Sequence, residues 1–400
     1  MRETLSPGVY VQAVPPSAPL ITGVATSTAG FVGVAHDVHM PARPGEFRRH
    51  GNGDLILDRA GNPVPIRYAL AQAGVPKRVT SWGAFTSLFG EIQAGNTYLA
   101  HAVYGFFKNG GTTCWVLRVD GASLPADLGP VLGAFEAVDD VAIVAVPGAD
   151  QAAQHAAIVA HCAGMQDRVA ILDAAMTDDA GRRAVAAVGS RADASYAALY
   201  YSWIKVFDPV TGALETVPPS GHVAGVFARS DATQGVFKAP ANEAVEGALG
   251  VTRSFGAIAR YELNAIGVNV LRSINGEIRI WGARTMADMA TTAFPFISNR
   301  RYFNFLRESI DESTQFVAFE PNSPALWQRV RRAVNAFLRD QWQAGALLGE
   351  TPDEAFFVKC DEETNPPDLR ALGKVVTEIG VAMVRPAEFV VLRMQQETGG

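Results

Sequence analysis

One alternation, between residues 141 and 207, limits the possible folds of this chain more than any other feature of its sequence. Three strand-like, largely apolar stretches alternate there with two helical patterns; the strand-like stretches span residues 141–146, 168–172 and 197–207, and the helical patterns span residues 150–164 and 178–189. A strand that is apolar along its whole length is buried on both faces, and a helix between two such strands connects them in parallel. The alternation therefore predicts a parallel sheet with helices on both faces.

Length and composition place the chain among soluble globular proteins. Its 400 residues exceed the usual size of one hydrophobic core and predict two or more domains. Although 48% of the residues are hydrophobic, the longest clean apolar run, residues 141–146, is far shorter than the roughly 20 residues that a membrane span needs. Residues 1–4 lead into proline-rich sequence rather than an apolar segment, which predicts no secretory signal and synthesis in the cytosol.

The charge distribution limits the possible partners, and the cysteine spacing limits the possible disulfides and metal sites. The formal net charge of −6 is spread without blocks, which argues against nucleic acid as a general partner. Cys114, Cys162 and Cys360 are widely spaced and form no pair with metal-site spacing. We therefore expect three reduced, buried thiols and no structural disulfide.

The first twenty residues predict an extended arm. They contain four prolines, which exclude a helix, around a strand-like alternation of apolar residues that includes Val9, Tyr10 and Val11. A disordered tail is the alternative, but a solvated tail has no reason to repeat apolar residues at period two. We therefore expect this arm to pair as a strand.

The last residues predict a second arm. Pro386 restricts Arg385 and directs the chain away from the preceding strand. Residues 387–395 then read as an apolar strand that contains Phe389, Val390, Val391 and Leu392.

Residues 36–78 predict a surface insertion rich in Gly, Pro, Arg and His. Apolar stretches at 55–57 and 64–66 flank a turn-like cluster at 58–63, which predicts an exposed hairpin. The insertion also holds the metal-ligating residue types His36, Asp37, His39, His50 and Asp54. Their spacings match no standard metal site, so a solvated loop is the better interpretation.

Residues 82–119 predict helical segments, a tight turn and a strand. The helical segments lie within 82–107, around Gly90 and Gly95, and the strand begins at Cys114. The turn at 108–113 superficially resembles a phosphate-binding loop, but the Gly-x4-Gly-Lys-Ser/Thr order is absent and the turn leads into a strand.

Mixed strands and helices after about residue 253 predict an α+β domain. Asn275 and Gly276, a strong hairpin signal, join apolar stretches at 268–274 and 277–284. The later elements are predicted helices at 299–312 and 324–344 and predicted strands at 315–320, 355–361 and 374–384.

The predicted helix after residue 323 has sharp boundaries and two distinct faces. Ser323 can cap it, Pro324 suits its first position, and Gly345 suits a left-handed residue after its end. Apolar residues recur at helical spacing on one side, at Trp327, Val330, Val334, Phe337 and Leu338. The other side carries Arg329, Arg332, Asn335 and Arg339.

Layered α/β domains are also common among hydrolases, so catalytic residues have to be considered. Asp173 ends a predicted strand and His222 begins a predicted helix that Ser220 would cap, which are suitable places for two members of a catalytic triad. The nucleophile signatures Gly-x-Ser-x-Gly and Gly-Thr-Ser-Met-Ala are absent, as is the dinucleotide motif Gly-x-Gly-x-x-Gly. Acidic residues 361–363 are better explained by a loop that pairs with an arginine than by a cation site. We therefore predict no catalytic, cofactor-binding or metal-binding residues.

Several segments together resemble contractile tail sheath proteins, which form the sheaths of contractile phage tails and of related phage-tail-like injection particles. They are residues 5–11, 26–33, 280–285, 315–342, 356–367 and 384–391. This resemblance covers nearly the whole chain. It implies a structural, non-enzymatic subunit with a subtilisin-like α/β middle domain, an α+β C-terminal domain and extended N- and C-terminal arms.

The resemblance also implies a domain layout. Its parts are an N-terminal arm (1–20), a β-rich region (21–120) with the insertion at about 36–78, an α/β sheath domain (121–258), an α+β sheath domain (259–384) and a C-terminal arm (385–400).

Members of this family polymerise as stacked hexameric rings around an inner tube, and their arms complete a sheet in adjacent subunits. The resemblance therefore implies a helical homo-oligomer whose contraction drives the tube through a target membrane. Further implied partners are baseplate and terminal cap proteins, with no cofactor, no nucleic acid and no direct stable membrane association. Assembly is expected in the cytoplasm of a bacterium, and the product would be part of a phage tail or a released tail-like particle.

A helix of the C-terminal domain faces the tube in this family, which makes Arg329, Arg332 and Arg339 candidates for that contact. A solvated basic face is the alternative. Two other functional hypotheses compete with a sheath: a serine-hydrolase-like α/β enzyme with a cryptic site, and a plain surface or capsid-like shell protein.

Overall fold

The computed structural model describes residues 20–176, 192–290 and 292–387, and the chain separates into two compact units. The described residues of the larger unit run from Val24 to Glu308 together with 385–387, and those of the smaller unit run from Ser309 to Val384 together with 20–23. The predicted helix at 178–189 and nearly all of both predicted arms lie outside the described residues.

The strands and helices that the following paragraphs use are numbered in chain order. The strands are β1 (Ala29–Val34), β2 (Ala42–Phe47), β3 (Pro65–Arg67), β4 (Lys77–Val79), β5 (Cys114–Val119), β6 (Ile143–Ala145), β7 (Val169–Asp173), β8 (Ala197–Tyr201), β9 (Ile204–Phe207), β10 (Leu214–Val217), β11 (Ala248–Val251), β12 (Val268–Ile274), β13 (Glu277–Trp281), β14 (Phe356–Lys359) and β15 (Glu378–Val381). The α-helices are α1 (Trp82–Phe89), α2 (Thr97–Lys108), α3 (Gly129–Leu132), α4 (Ala152–Met165), α5 (Ser220–Gln234), α6 (Ala257–Ala265), α7 (Ile297–Ser313), α8 (Pro324–Gln343), α9 (Pro352–Ala355) and α10 (Pro367–Ala371).

An eight-stranded sheet in the order β13-β12-β8-β7-β6-β1-β5-β4 forms the core of the larger unit. The strands from β12 to β5 run parallel, and β13 and β4 close the two edges antiparallel. Every residue of β6, β7 and β8 is buried, as expected for strands covered on both faces. The predicted parallel sheet is therefore confirmed.

Two apolar clusters lie against this sheet. Phe31 belongs to one cluster with Phe85 and Phe106, whereas its neighbour Val32 belongs to the other with Phe135. Successive side chains of a strand point to opposite faces, so β1 contributes to both clusters. The sequence assigned residues 21–120 to a region of their own, but β1, β4 and β5 from that stretch are strands of the large sheet.

Helices α2 and α5 pack so closely that their glycines are required. A Cβ atom on Gly221 would lie 2.3 Å from Ala102 Cα, and one on Gly225 would lie 2.5 Å from the Phe106 carbonyl oxygen. In the other direction, a Cβ on Gly105 of α2 would lie 2.3 Å from the His222 ring. Each helix therefore inserts into the other at a glycine.

The long strand predicted at 197–207 is wrong, because two strands in different sheets occupy it. All residues of β8 are buried in the large sheet, whereas β9 alternates buried and exposed residues. β9 forms a three-stranded antiparallel sheet with β10 and β11. An alternating strand has one solvated face, which a strand of the parallel sheet does not have.

The predicted hairpin at Asn275 and Gly276 is confirmed, but it lies in a different part of the fold than expected. Both residues have positive φ, 51° and 88°, and they join β12 to β13. β12 also pairs in parallel with β8, so the hairpin extends the large sheet. Residues 259–308 therefore belong to the larger unit and not to the C-terminal one.

The predicted surface insertion contains a small antiparallel ladder. β2 pairs with β3, and Leu57 bridges Pro63 across the predicted turn at 58–63. The Asp58 carboxylate accepts hydrogen bonds from the N–H groups of Ala60 and Asn62, which fixes that turn. Most residues of β2 are exposed, as expected for an insertion.

The smaller unit is α+β, with one correction to the expected elements. The strand predicted at 315–320 is absent, and Gln315–Val317 instead form a single turn of 3₁₀ helix. Turn hydrogen bonds from Val317 N–H to Thr314 and from Ala318 N–H to Gln315 satisfy the backbone there. The apolar residues of this stretch therefore match the sequence pattern of a strand, but no described strand pairs with them.

Candidate assembly surfaces and a buried polar cluster

Helix α8 has the boundaries and the buried face that the sequence predicts. Ser323 Oγ accepts a hydrogen bond from Leu326 N–H at 3.5 Å, Pro324 is the first helical residue, and Gly345 has φ of +78°. The buried side chains are those of Leu326, Trp327, Val330, Ala333, Val334, Phe337 and Leu338. This face packs into the smaller unit and leaves the opposite face for solvent or a partner.

The opposite face of α8 carries two solvated arginines and a third arginine that contacts other residues of the smaller unit. Arg332 and Arg339 are exposed, and neither forms an ion pair in the described part of the chain. Arg329 Nη1 lies 3.6 Å from Glu320 Oε2, and its guanidinium carbon lies 5.3 Å from the centre of the Phe316 ring. Arg329 therefore secures the turn before α8 and is less free to meet a partner than the other two.

Strands β14 and β15 form a two-stranded sheet with an open edge. They pair antiparallel from Phe356 opposite Val381 to Lys359 opposite Glu378. Leu347 bridges Met383 beyond β15, whereas β14 has no second strand partner among the residues that the structure describes. An unpaired strand edge offers main-chain donors and acceptors to an added strand.

The acidic residues 361–363 form a local turn. The Asp361 carboxylate accepts hydrogen bonds from the N–H groups of Glu363 and Thr364, and Glu363 pairs with Lys359 on the preceding strand. The expected arginine partner is therefore wrong: a lysine four residues away takes that place. No group of three or more His, Cys, Asp or Glu residues suited to a metal ion occurs among the described residues.

In the larger unit, Asp173 is the centre of a buried polar cluster. Its carboxylate accepts hydrogen bonds from the Ser220 hydroxyl at 2.6 Å, from Ser220 N–H at 2.9 Å and from Gly148 N–H at 3.2 Å. Burial raises the pKa of Asp173 to about 7, although the three donors act in the opposite direction. Ser220 is therefore the first residue of α5 and a donor to Asp173, and the predicted role as helix cap is wrong.

His222 is also buried, but it takes no part in the hydrogen bonds to Asp173. Its Nδ1 has no hydrogen-bond partner, and burial lowers the pKa of His222 to about 3. A catalytic triad requires the acid to bind the histidine and the histidine to bind the nucleophile. Here the acid binds the serine directly, so the geometry does not assemble the sequence candidates into a triad.

The histidines of the insertion are separate from one another. His36 Nδ1 lies 3.1 Å from Asp120 Oδ1 and its Nε2 lies 3.0 Å from Asp37 Oδ2, while His39 and His50 are exposed elsewhere on the loop. The hydrogen bond that the His36 ring donates to the Asp120 carboxylate, together with the nearby Asp37 charge, raises the pKa of His36. This arrangement is a surface pairing and agrees with the interpretation of a solvated loop.

The three cysteines are free and buried, as predicted. None of the described helices is both long and apolar enough to cross a membrane. The predicted arm residues lie outside the described residues; they are Val9, Tyr10, Val11, Phe389, Val390, Val391 and Leu392.

The protein has a mixed α/β fold of two units. Its polar cluster at Asp173 is buried, whereas the charged face of α8 is exposed, so the features available to a partner lie on its surface. Two family models match consecutive parts of the chain: the phage tail sheath protein central domain over residues 126–286 and the phage tail sheath C-terminal domain over residues 290–397. Together they match more than half of the chain. The chain belongs to the phage tail sheath protein family.

Relatives and solved structures agree with this assignment. The tail sheath protein of Burkholderia phage BcepMu is 29% identical over 217 residues, which cover 52% of this chain and 44% of that protein. The chain spans about half the length, or less, of the curated relatives it matches.

Likeness to solved structures extends over nearly all of the chain. The helical sheath of the anti-feeding prophage in its contracted state is 28% identical, with a TM-score of 0.73 over 98% of this chain and 100% of that one. The PVC sheath complex of an extracellular contractile injection system, also contracted, is 26% identical, with a TM-score of 0.73 over 100% and 99% of the two chains. The mixed α/β multidomain fold is therefore that of contractile sheath subunits.

Proposed function

We propose that this chain is the sheath subunit of a contractile injection particle or phage tail. Copies would stack as hexameric rings around an inner tube, and contraction of the sleeve would drive the tube through a target membrane. The observation that carries this proposal is the likeness to two contractile sheaths over at least 98% of the chain. A baseplate partner is supported by a further likeness, 28% identical, to a chain in the anti-feeding prophage baseplate structure.

Strand exchange between subunits is the linkage that we propose. The edge of β14 that has no partner strand among the described residues could accept a strand from a neighbouring copy. The sequence predicts such a strand near each end of the chain. An arm of twenty residues could span roughly 60 Å, enough to reach an adjacent subunit. Backbone hydrogen bonds would hold such arms while weaker face-to-face contacts exchange during contraction.

The contact with the inner tube is proposed for the exposed face of α8. Arg332 and Arg339 are solvated and unpaired in the described residues, so acidic groups on the tube would meet them without breaking an existing ion pair. Screened ion pairs hold register but contribute little each, which suits a contact that must release during contraction. Arg329 would contribute less because Glu320 and Phe316 already hold it.

The sheath function needs no chemistry from the protein, so we propose a non-enzymatic subunit assembled in the bacterial cytoplasm. Terminal cap proteins are further proposed partners, and neither a cofactor nor nucleic acid nor a stable membrane contact is part of the proposal. The subtilisin-like character of the middle domain stays a prediction. The comparisons do not support the competing class, a hydrolase, and the hydrogen bond that Ser220 donates directly to Asp173 disfavours it.

Electron microscopy of the purified chain tests the proposal. We expect striated hollow sleeves from the full chain, and folded but unassembled chains after deletion of residues 1–16 or after truncation at residue 386. Circular dichroism of the truncated chains is the folding control. Monodisperse full-length chains that hydrolyse ester or peptide substrates would overturn the proposal, and long sleeves from either truncated chain would overturn the linkage by arms.

A further inference from the structure

The outer face of the sheet β10-β9-β11 carries three large apolar side chains that are exposed, together with Lys205. Phe207 and Leu214 lie directly opposite each other on β9 and β10, and they are 54% and 62% exposed. Leu249 lies at the bulge of β11 opposite β9 and is 65% exposed. Residues opposite each other on antiparallel strands share a face. We call Phe207, Leu214 and Leu249 the sheet patch.

Helix α6 carries a second exposed apolar surface, which no other described element covers. Ile258 and Tyr261 are 78% and 68% exposed, while Leu263 on the other side of the helix is buried. Ile258, Tyr261 and the exposed Ala265 follow at i, i+3 and i+7, so they line one side of the helix. We call these three residues the helix stripe.

We propose that the helix stripe of one copy packs on the sheet patch of a second copy in the assembled sheath, and this inference rests on the proposed function. Both surfaces lie in the larger unit and both are exposed, so they do not cover each other within one chain. A helix packed on a sheet is the usual way in which such faces are buried. A row of exposed apolar side chains on each element marks a site of protein association.

The contact is heterologous, because it joins two different surfaces. Each copy would bind one neighbour through its helix stripe and another neighbour through its sheet patch. Repeated contacts of this kind build rings or helical filaments. The nearby charges fit this pairing: Lys205 is exposed on the same face as the sheet patch, and Glu262 is exposed beside the helix stripe. The contact therefore adds a joint between larger units that is separate from strand exchange at β14.

Site-directed cross-linking of full-length chains tests this contact. One preparation carries Leu214→Cys, a second carries Ile258→Cys and a third carries Tyr261→Cys; the native cysteines are buried and do not compete. With a short thiol-reactive linker under assembly conditions, we expect a cross-linked dimer when the patch variant is mixed with either stripe variant, and none from any variant alone. Leu57→Cys, which replaces another exposed apolar side chain, is the control and should remain monomeric in every mixture.

A chain that carries both Leu214→Cys and Ile258→Cys should give a ladder of cross-linked multimers. A dimer from Leu214→Cys alone would indicate that two sheet patches meet and would overturn the proposal. Sleeves from the wild-type chain in which no patch–stripe mixture cross-links would also overturn it. That result leaves the sheath function standing, whereas wild-type chains that form no sleeve contradict the proposed function itself.

A second measurement introduces charges into the two apolar surfaces, in chains whose folding is checked by circular dichroism. Leu214→Asp or Ile258→Asp should each lower the fraction of sedimenting sleeves at least about tenfold, because a buried unpaired carboxylate opposes association. Leu214→Lys combined with Ile258→Asp should recover a substantial part of that loss, whereas Leu57→Asp should lose nothing. Sleeves of normal yield from both single variants would contradict the proposal.

Discussion

Arg301 of α7 and Asp231 of α5 form a buried bidentate salt bridge. Arg301 Nη1 lies 2.9 Å from Asp231 Oδ1, and Arg301 Nη2 lies 2.5 Å from Asp231 Oδ2. Thr26 completes the arrangement: its hydroxyl donates to Asp231 at 2.7 Å and its carbonyl oxygen accepts from Arg301 at 3.0 Å. The Arg301 guanidinium also lies over the Phe227 ring. Three separate parts of the larger unit are thus joined at one carboxylate.

Asp231→Asn should strongly destabilise the larger unit. The substitution leaves Arg301 buried with a neutral partner, and breaking a buried pair in this way costs about 3–5 kcal/mol. Chemical denaturation followed by circular dichroism measures the loss. Glu277→Gln is the control, because the Glu277–Arg279 pair is exposed and should contribute under about 1 kcal/mol. Equal losses from the two variants would contradict the structural role of Asp231.

Acid should destabilise the chain through its buried histidines. Burial lowers the pKa of His222 to about 3 and that of His161 to about 4, so these two histidines stay unprotonated in the folded chain at pH values where they take up protons in the unfolded chain. The stability that each histidine contributes is therefore complete above about pH 6.5 and falls as the pH decreases, by up to about 1.4 kcal/mol per pH unit. The raised pKa of Asp173 acts in the opposite direction below about pH 7, so it offsets one of the two histidines.

His222→Gln isolates one of these contributions. We expect the variant to be less stable at pH 7.5 but to lose stability less steeply between pH 6.5 and pH 5 than the wild-type chain. Unfolding midpoints in denaturant across that range give the slope. The same change at exposed His50 should leave the slope as it is. An unchanged slope in His222→Gln would show that this histidine takes up no proton on unfolding.

Gly225→Ala should destabilise the chain despite the higher helix propensity of alanine. The new methyl group would lie 2.5 Å from the Phe106 carbonyl oxygen, so α2 and α5 must separate, and such overpacking typically costs about 1–3 kcal/mol. Gly164→Ala in α4 is the matched control, because a Cβ there meets no atom within 4 Å and should stabilise the helix by up to about 1 kcal/mol. Thermal unfolding should therefore shift in opposite directions for the two variants.

Arg332→Glu combined with Arg339→Glu should leave the chain folded and able to form sleeves, but the sleeves should be empty or prematurely contracted. Reversed charge would repel acidic groups on the tube without disturbing the buried face of α8. Particles counted by electron microscopy at matched salt give the result, with exposed Arg59→Glu in the insertion as control. Unchanged numbers of extended, tube-filled sheaths would show that these arginines form a solvated surface and do not contact the tube.

Ser220→Ala should reduce stability only modestly and should not impair contraction. It removes one of three hydrogen bonds to Asp173, a loss of about 1 kcal/mol. Sheaths assembled from the variant and treated to induce contraction are compared by electron microscopy with wild-type sheaths. Normal extended particles that fail to contract would require a chemical step at this serine.

Local sequence signals predicted the elements whose causes are local. Asn275 and Gly276 placed a hairpin, and Ser323, Pro324 and Gly345 placed the ends of α8, because turn and cap preferences act over a few residues. The family resemblance supplied the function, which composition and spacing alone left open between several classes.

Features that depend on distant residues were not predictable in the same way. The stretch 197–207 reads as one long strand in the sequence, and only its pairing with β10 and β11 assigns β9 to a second sheet. Likewise, nothing in the sequence marks Asp231 as the partner of Arg301, because seventy positions separate them. The sheet patch and the helix stripe also become visible only when exposure is known, since apolar residues normally predict a core.

The close approach of α2 and α5 has a mechanical consequence. Two helices that insert into each other at Gly105, Gly221 and Gly225 cannot slide by a fraction of a turn without steric overlap. Force applied at one end of such a pair passes to the other end as displacement of the whole body, with little absorbed as internal deformation. A sleeve made of stiff blocks of this kind can change its length only at the joints between them, so the stroke would be set by the geometry of those joints.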